Sequence, residues 1–440
     1  MKNANLWNYI LIYPSTLPDE VHIGYWGRFN RWNGLTKEAD AIELLAARAA
    51  LEKPASDDPG LIELLSFASS MSIREFVRLH TQQPYRRSIV SYKPDLVHGD
   101  ERDTSMVRYS ANRFVRRAAY FCATCVDADL VLHGTSYWRR SHQLPGMYVC
   151  PSHGDALCYI DSLKAFMKAP AVGLDDCHVI DSAWALENHE NRHVQEFLRL
   201  SLALSEFPRP INLHRARAVL CGRAKVLNIS VYPTKNNEYR LSDKIFSRYP
   251  GSWLELVFPK ASAKSAGEIQ HQLDGILYCS TSSSSIVAYL LGACVLFDTA
   301  EDFLHALAGA TPAKRAKRGG RKDNFDRKIE LHDGVASYIR CKGSHTKIAR
   351  EYGAPMNAIK PQLLAFGLPD LGSSRNLQHS KQASALQHFY SRRMSLADSA
   401  RLAGVLVEDI ESLVRQAGIH LPAALRQMDL PDTAHAETDP

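Results

Sequence analysis

Between Tyr120 and Leu157 the chain reads YFCATC, then YWRRSHQLPGMYVCPSHGDAL, and this stretch limits the possible folds more than any other. Cys122 and Cys125 form a C-x-x-C pair, and Cys150 and His153 form a C-x-x-H pair one loop later. Zinc takes four thiolate or imidazole ligands in a tetrahedron, and two short-spaced pairs on tight turns supply them. Pro151 after the second cysteine and Gly154 after the histidine suit such a turn. With all four positions filled by protein, no coordination site remains for water or substrate, so the expected Zn2+ is one structural ion. The intervening Val126–Val149 is long enough for a hairpin or small ribbon, and a zinc ribbon over 116–160 is expected.

The remaining sequence is mostly helical in pattern. Val21, Tyr25 and Phe29 share one face of a helix within Glu20–Asn33. Thr36 can start a helix to Glu52, and Ser72 with Glu75 is a capping-box signature. A helical N-terminal domain, helix-turn-helix-like, is expected over 1–115, and a helical core over 161–310. The second includes a long helix over Asp181–Leu204, another over Leu213–Val226, and Trp253 and Phe258 in the interior. Ile286–Phe297 is the longest apolar run and too short to cross a bilayer, which takes about 20 residues, so it reads as a buried element. Nine cysteines without secreted-type spacing, and no signal peptide, point to a cytoplasmic protein with no membrane association.

The net charge is only +6, so location matters more than total. Arg108, Arg113, Arg116 and Arg117 precede the metal motif, and Arg139 and Arg140 lie inside it, a set suited to phosphate. Residues 311–329 form a basic linker that carries Lys314, Arg315, Lys317, Arg318, Arg321 and Lys322. Beyond it the chain repeats itself at an offset of 51. Ala349, Gly353, Ile359, Leu363 and Gly367 fall on Ala400, Gly404, Ile410, Val414 and Gly418, with Tyr338 on Phe389 and Ser344 on Ser395. This is helix-turn-helix logic found twice, over 330–375 and 376–430, before a disordered tail over 431–440. The second helix of the first unit offers Asn357, Lys360 and Gln362 to DNA, and Pro361 is expected to kink or shorten it. In the second unit the same helix carries Glu408, Asp409 and Glu411, so it is expected to face protein or solvent.

Three chemistries are set aside. There is no G-x-x-x-x-G-K-[ST] loop and no G-x-S-x-G elbow, so neither nucleotide hydrolysis nor acyl transfer is expected. His189, Glu190 and His193 match H-E-x-x-H, but the turn is polar and no third ligand follows, so a zinc protease is the weakest reading.

The metal motif, with Tyr137-Trp138-Arg139, Gln143-Leu144-Pro145, Cys150-Pro151, His153-Gly154 and Leu157, resembles the core of the TniQ family, which includes TnsD-like target selectors of bacterial transposons. Weaker similarity covers DEVHIGYWGRFNRWNGL near the start and FSRYPGSWLEL around Trp253. The resemblance implies a non-enzymatic target-site selector for DNA transposition. Such a protein recognises double-stranded target DNA and recruits the element's AAA+ ATPase and, through it, the transposase. The alternatives are an adaptor that docks on a CRISPR RNA-guided complex and a stand-alone transcriptional regulator. The expected architecture is thus mainly α and multidomain, with an inserted zinc ribbon and C-terminal tandem helix-turn-helix units.

Overall fold

The computed structural model describes residues 10–52, 59–232, 239–259, 264–279, 285–309, 328–372 and 376–428. The protein is mainly α-helical with a few short strands, and its buried apolar side chains fall into three clusters, the first two of which interleave between Tyr85 and Phe166.

The first cluster is built on α1 (His22–Trp32), α2 (Glu38–Glu52), α3 (Leu61–Ala68) and α4 (Ile73–His80), followed by the single turn α5 (Gln83–Arg86). Val21, Tyr25 and Phe29 are buried in it, as their spacing predicts. Ser72 starts α4 by accepting the Glu75 amide at 3.2 Å, which satisfies one orphan donor of the first turn. Two glycines make the centre of this unit dense. Gly24 and Gly27 lie one turn apart on α1, and a Cβ on Gly24 would stand 3.0 Å from Trp138 Cβ. One on Gly27 would enter the backbone at Phe166 and Met167. Glu20 and Arg28 form a buried ion pair at 2.6 Å beside this crossing.

The second cluster gathers the middle of the chain. Strand β1 (Ile89–Val90) reaches across to it, as described below. A three-stranded antiparallel sheet joins the first two clusters, built from β2 (Ala119–Phe121), β3 (Cys158–Ile160) and β4 (His178–Val179) in that order. Between β2 and β3 runs α6 (Ala123–His133), where a hairpin or ribbon was expected. The reason is local. Cys122 closes the strand in extended geometry, A-T-C-V-D-A-D-L-V-L-H contains no glycine or proline, and Gly134 ends the helix at φ +67°.

Asp181–Leu204 is likewise two helices, α7 (Ser182–Glu190) and α8 (Arg192–Ser205), broken at Asn191. Asn191 has extended backbone, and its side chain accepts from the His193 and Val194 amides, so it restarts the helix as an N-cap. The parallel pair β1–β5 (Ile211–Asn212) ties the region after α5 to this part. Then come α9 (Leu213–Val226), α10 (Leu241–Arg248), α11 (Gly251–Val257), α12 (His271–Tyr278), α13 (Ile286–Leu296) and α14 (Ala300–Gly309). The apolar run is α13, buried on all sides from Val287 to Leu296, and Trp253 and Phe258 are interior as expected. No helix among the described residues is long and apolar enough to cross a membrane.

The third cluster holds α15 (Leu331–Arg340), α16 (His345–Glu351), α17 (Met356–Ala365), α18 (Asn376–Arg392), α19 (Leu396–Ala403), α20 (Val407–Gln416) and α21 (His420–Gln427). The offset of 51 maps α16 onto α19 and α17 onto α20, and the turns between them hold Gly353 and Gly404 at φ +59° and +62°. Only glycine accepts such a turn without a Cβ penalty. The two closing glycines meet directly, as the Gly418 amide donates to the Gly367 carbonyl at 2.8 Å. Both triplets bury their repeated apolar positions in this one core. Pro361 does not break α17, which runs on to Ala365.

Candidate metal centre and nucleic-acid contacts

Cys122, Cys125, Cys150 and His153 converge, with one ligand atom from each lying within 4.8 Å of the others. Cys125 Sγ is 3.7 Å from Cys150 Sγ, and His153 Nδ1 is 3.6, 3.3 and 3.6 Å from the sulfurs of Cys122, Cys125 and Cys150. A tetrahedron with Zn–S of about 2.3 Å and Zn–N of about 2.0 Å has S···S edges of roughly 3.8 Å and S···N edges of roughly 3.5 Å. The spacing and the soft donor set both fit zinc. The three cysteines are buried and His153 is exposed.

The local sequence explains this convergence. Cys122 ends β2 and Cys125 lies in the first turn of α6, so a strand-to-helix corner presents both sulfurs. The second pair sits on a tight turn in which the Gly154 amide donates to the Cys150 carbonyl at 2.9 Å and the Cys150 amide to the Asp155 carbonyl at 2.7 Å. Gly154 takes φ +75° there.

Several supporting residues had no spacing signature. His142 is buried, and burial holds its imidazole neutral by lowering its pKa to about 4. Its Nε2 lies 3.6 Å from Cys150 Sγ, so in the Nε2–H tautomer it donates to the sulfur. Thr124 Oγ donates to Asp155 at 2.7 Å, which ties the two ligand turns together. Asp129, one helical turn beyond Cys125, accepts both arms of Arg139 at 2.7 and 2.8 Å and so fixes the helix that carries the ligand. The i, i+4 relation of Cys125 and Asp129 was the one available signal.

Arg139 and Arg140 therefore depart from the phosphate-facing reading. Arg139 is committed to the buried Asp129. Arg140 is itself buried; it pairs with Asp19 at 3.2 Å and with Glu206, and donates to the Arg78 carbonyl. Arg108 pairs with Glu63 at 2.6 Å and also donates to the Ala365 carbonyl, while the Arg116 guanidinium sits over the Tyr120 ring, 3.2 Å from its centroid. Each holds one part of the fold to another. Arg113 and Arg117 stay exposed.

On α17, Asn357 is exposed and Lys360 is half-buried. Gln362 faces inward, where its oxygen accepts the Ile329 amide at 2.8 Å and its nitrogen donates to the Ala358 carbonyl at 3.0 Å. Lys314, Arg315, Lys317, Arg318, Arg321 and Lys322 lie outside the described residues. On α20, Glu411 is buried against Arg415 on the same helix, whereas Glu408 is exposed and Asp409 half-buried. The break at Asn191 puts His189 and His193 on different helices, and neither joins a metal-type cluster among the described residues.

Residues 11–157 match the TniQ family model, a span that holds all four clustered ligands. The chain carries a TniQ domain. Two stretches within this span, around α1 and around Tyr137–Arg139, are in contact: the Val21 amide donates to the Trp138 carbonyl at 2.9 Å, and the backbones of Glu20 and Arg139 form an antiparallel β-bridge. No curated protein matches the chain.

Proposed function

We propose that this protein is a zinc-containing, DNA-binding target-site selector for transposition, which recognises target DNA and recruits the transposon's AAA+ ATPase and, through it, the transposase. The observation that carries the reading is the TniQ match over 11–157, a family of non-catalytic transposition adaptors, with a four-ligand cluster complete inside it. In this reading the ion is structural and closes the seam between the first two cores. Asn357 and Lys360 on α17 contact target DNA, and the basic segment from Lys314 to Lys322 adds phosphate contacts. Gln362 acts as a brace for α17 rather than a reader of bases.

Footprinting of the zinc-loaded protein on DNA that spans insertion sites tests this. A discrete footprint at moderate salt is expected. Asn357→Ala should relax sequence preference by about 1–3 kcal/mol, whereas Lys360→Ala should weaken all sequences alike. Diffuse binding that vanishes with salt, unchanged by Asn357→Ala, would move target choice to a partner, with an RNA-guided complex the first to test.

A further inference from the structure

A cleft of about 1100 Å³ opens between the segment after α5 and the C-terminal triplet. One wall carries Arg86, Arg113 and Arg117, and the facing wall is α20 with Glu408, Asp409 and Glu411. Lys164 and Asp161 also line it. Arg113, Arg117 and Lys164 are exposed, and none makes an ion pair within 4.0 Å among the described residues. Glu408 and Asp409 are also without one. This differs from Arg28, Arg108, Arg139 and Arg140, each of which has its own carboxylate. Opposite charges thus face each other across open space without closing on each other.

The acidic wall is held in place by contacts that do not use these charges. Asn112 donates to the Arg415 carbonyl at 2.9 Å, Arg415 lies over Phe114 at 5.1 Å, and Arg393 pairs with Asp40 at 3.3 Å and with Glu43. Guanidinium groups with unfilled forks suit phosphate, since each can donate two parallel hydrogen bonds. Carboxylates on the opposite wall oppose the same ligand through space, and water and salt weaken that opposition.

We infer that this cleft is a phosphodiester-binding site of the N-terminal half, and that α20 restrains it by holding Glu408 and Asp409 over the arginines. The inference rests on the nucleic-acid reading above but concerns a different surface. It assigns the cleft a sequence-independent role, and it assigns the acidic triplet the role of a cover.

The test uses the full chain, zinc-loaded, with a random-sequence duplex titrated across a range of KCl. Glu408→Gln with Asp409→Asn should bind on the order of fivefold tighter at low salt. Arg113→Ala with Arg117→Ala should bind more weakly, with a salt slope shallower by about two, and should cancel the gain when all four changes are combined. Asp175→Asn with Asp176→Asn removes the same charge from an exposed loop and should leave affinity unchanged. Equal tightening by that control, or none by the α20 variant with melting preserved, overturns the inference. Displacement of the duplex by poly-glutamate at lower concentration than by competing duplex would assign the cleft to acidic protein segments instead, which also overturns it. Footprinting at insertion sites reads the α17 assignment separately, so either can fail alone.

Discussion

Gly27 occupies the point where α1 crosses the turn at Phe166, and any side chain there must displace backbone rather than a rotamer. Gly27→Ala should therefore destabilise by about 1–3 kcal/mol, against a helix-propensity gain of about 1 kcal/mol, in urea unfolding of the zinc-loaded protein. An unchanged midpoint would show that the crossing relaxes freely. At this scale the sequence was legible for some residues and not for others. Val21, Tyr25 and Phe29 announced their burial through spacing alone, because a helix face follows from local periodicity. The arginines gave no such signal. Arg139 and Arg140 are adjacent in sequence and look like a basic patch, yet their carboxylates come from Asp129, Asp19 and Glu206. Charge pairing across long sequence separations is set by tertiary packing, and no local pattern records it.

For single elements the four-ligand cluster was readable and its scaffold was not. Two short-spaced ligand pairs fix which atoms meet, because each tight turn already brings its two donors together. They do not fix what lies between, and here α6 takes up the first part of Val126–Val149, a span expected to form a hairpin or ribbon. Asn191 made the opposite kind of difference, ending one helix and capping the next inside a stretch with continuous helical character. Cys125→Ser should abolish stoichiometric zinc by elemental analysis and lower the melting temperature, since ligand geometry and folding are linked in such sites. Retention of one zinc per chain with an unaltered melting curve would refute the assignment. Within the C-terminal repeat the offset of 51 carried over intact to helix positions and glycine turns, because both units solve the same packing problem.

Across the whole molecule, five of the buried histidines share a pH response. Burial lowers the pKa of His22 and His98 to about 3 and of His80, His142 and His345 to about 4. Unfolded histidines titrate near 6.5, so between about pH 6.5 and 4 the unfolded chain binds more protons and acid favours it. The stability these groups carry is fully present above that range and is lost through it. Glu38, whose burial raises its carboxyl to about 7, works the other way as one group against five. The melting temperature should therefore still fall as pH drops from 7 to 4, and a flat profile would contradict this. The interleaving of the first two cores, and with it the placement of the cysteines at their seam, was not visible in composition. Their sulfurs pack with Leu144, Met147, Val149 and Leu157 among residues of the second core, whereas β2 and Trp138 beside them belong to the first. During synthesis this separates two events in time. All four clustered residues have been translated by His153, while the apolar core their sulfurs belong to extends on through α13 at Leu296. At about 5–20 residues per second, the remaining stretch takes on the order of ten to thirty seconds to emerge. For that interval the four-ligand cluster is complete in sequence while the apolar flank that completes its core is still missing, which makes this the moment when a chaperone has most to protect.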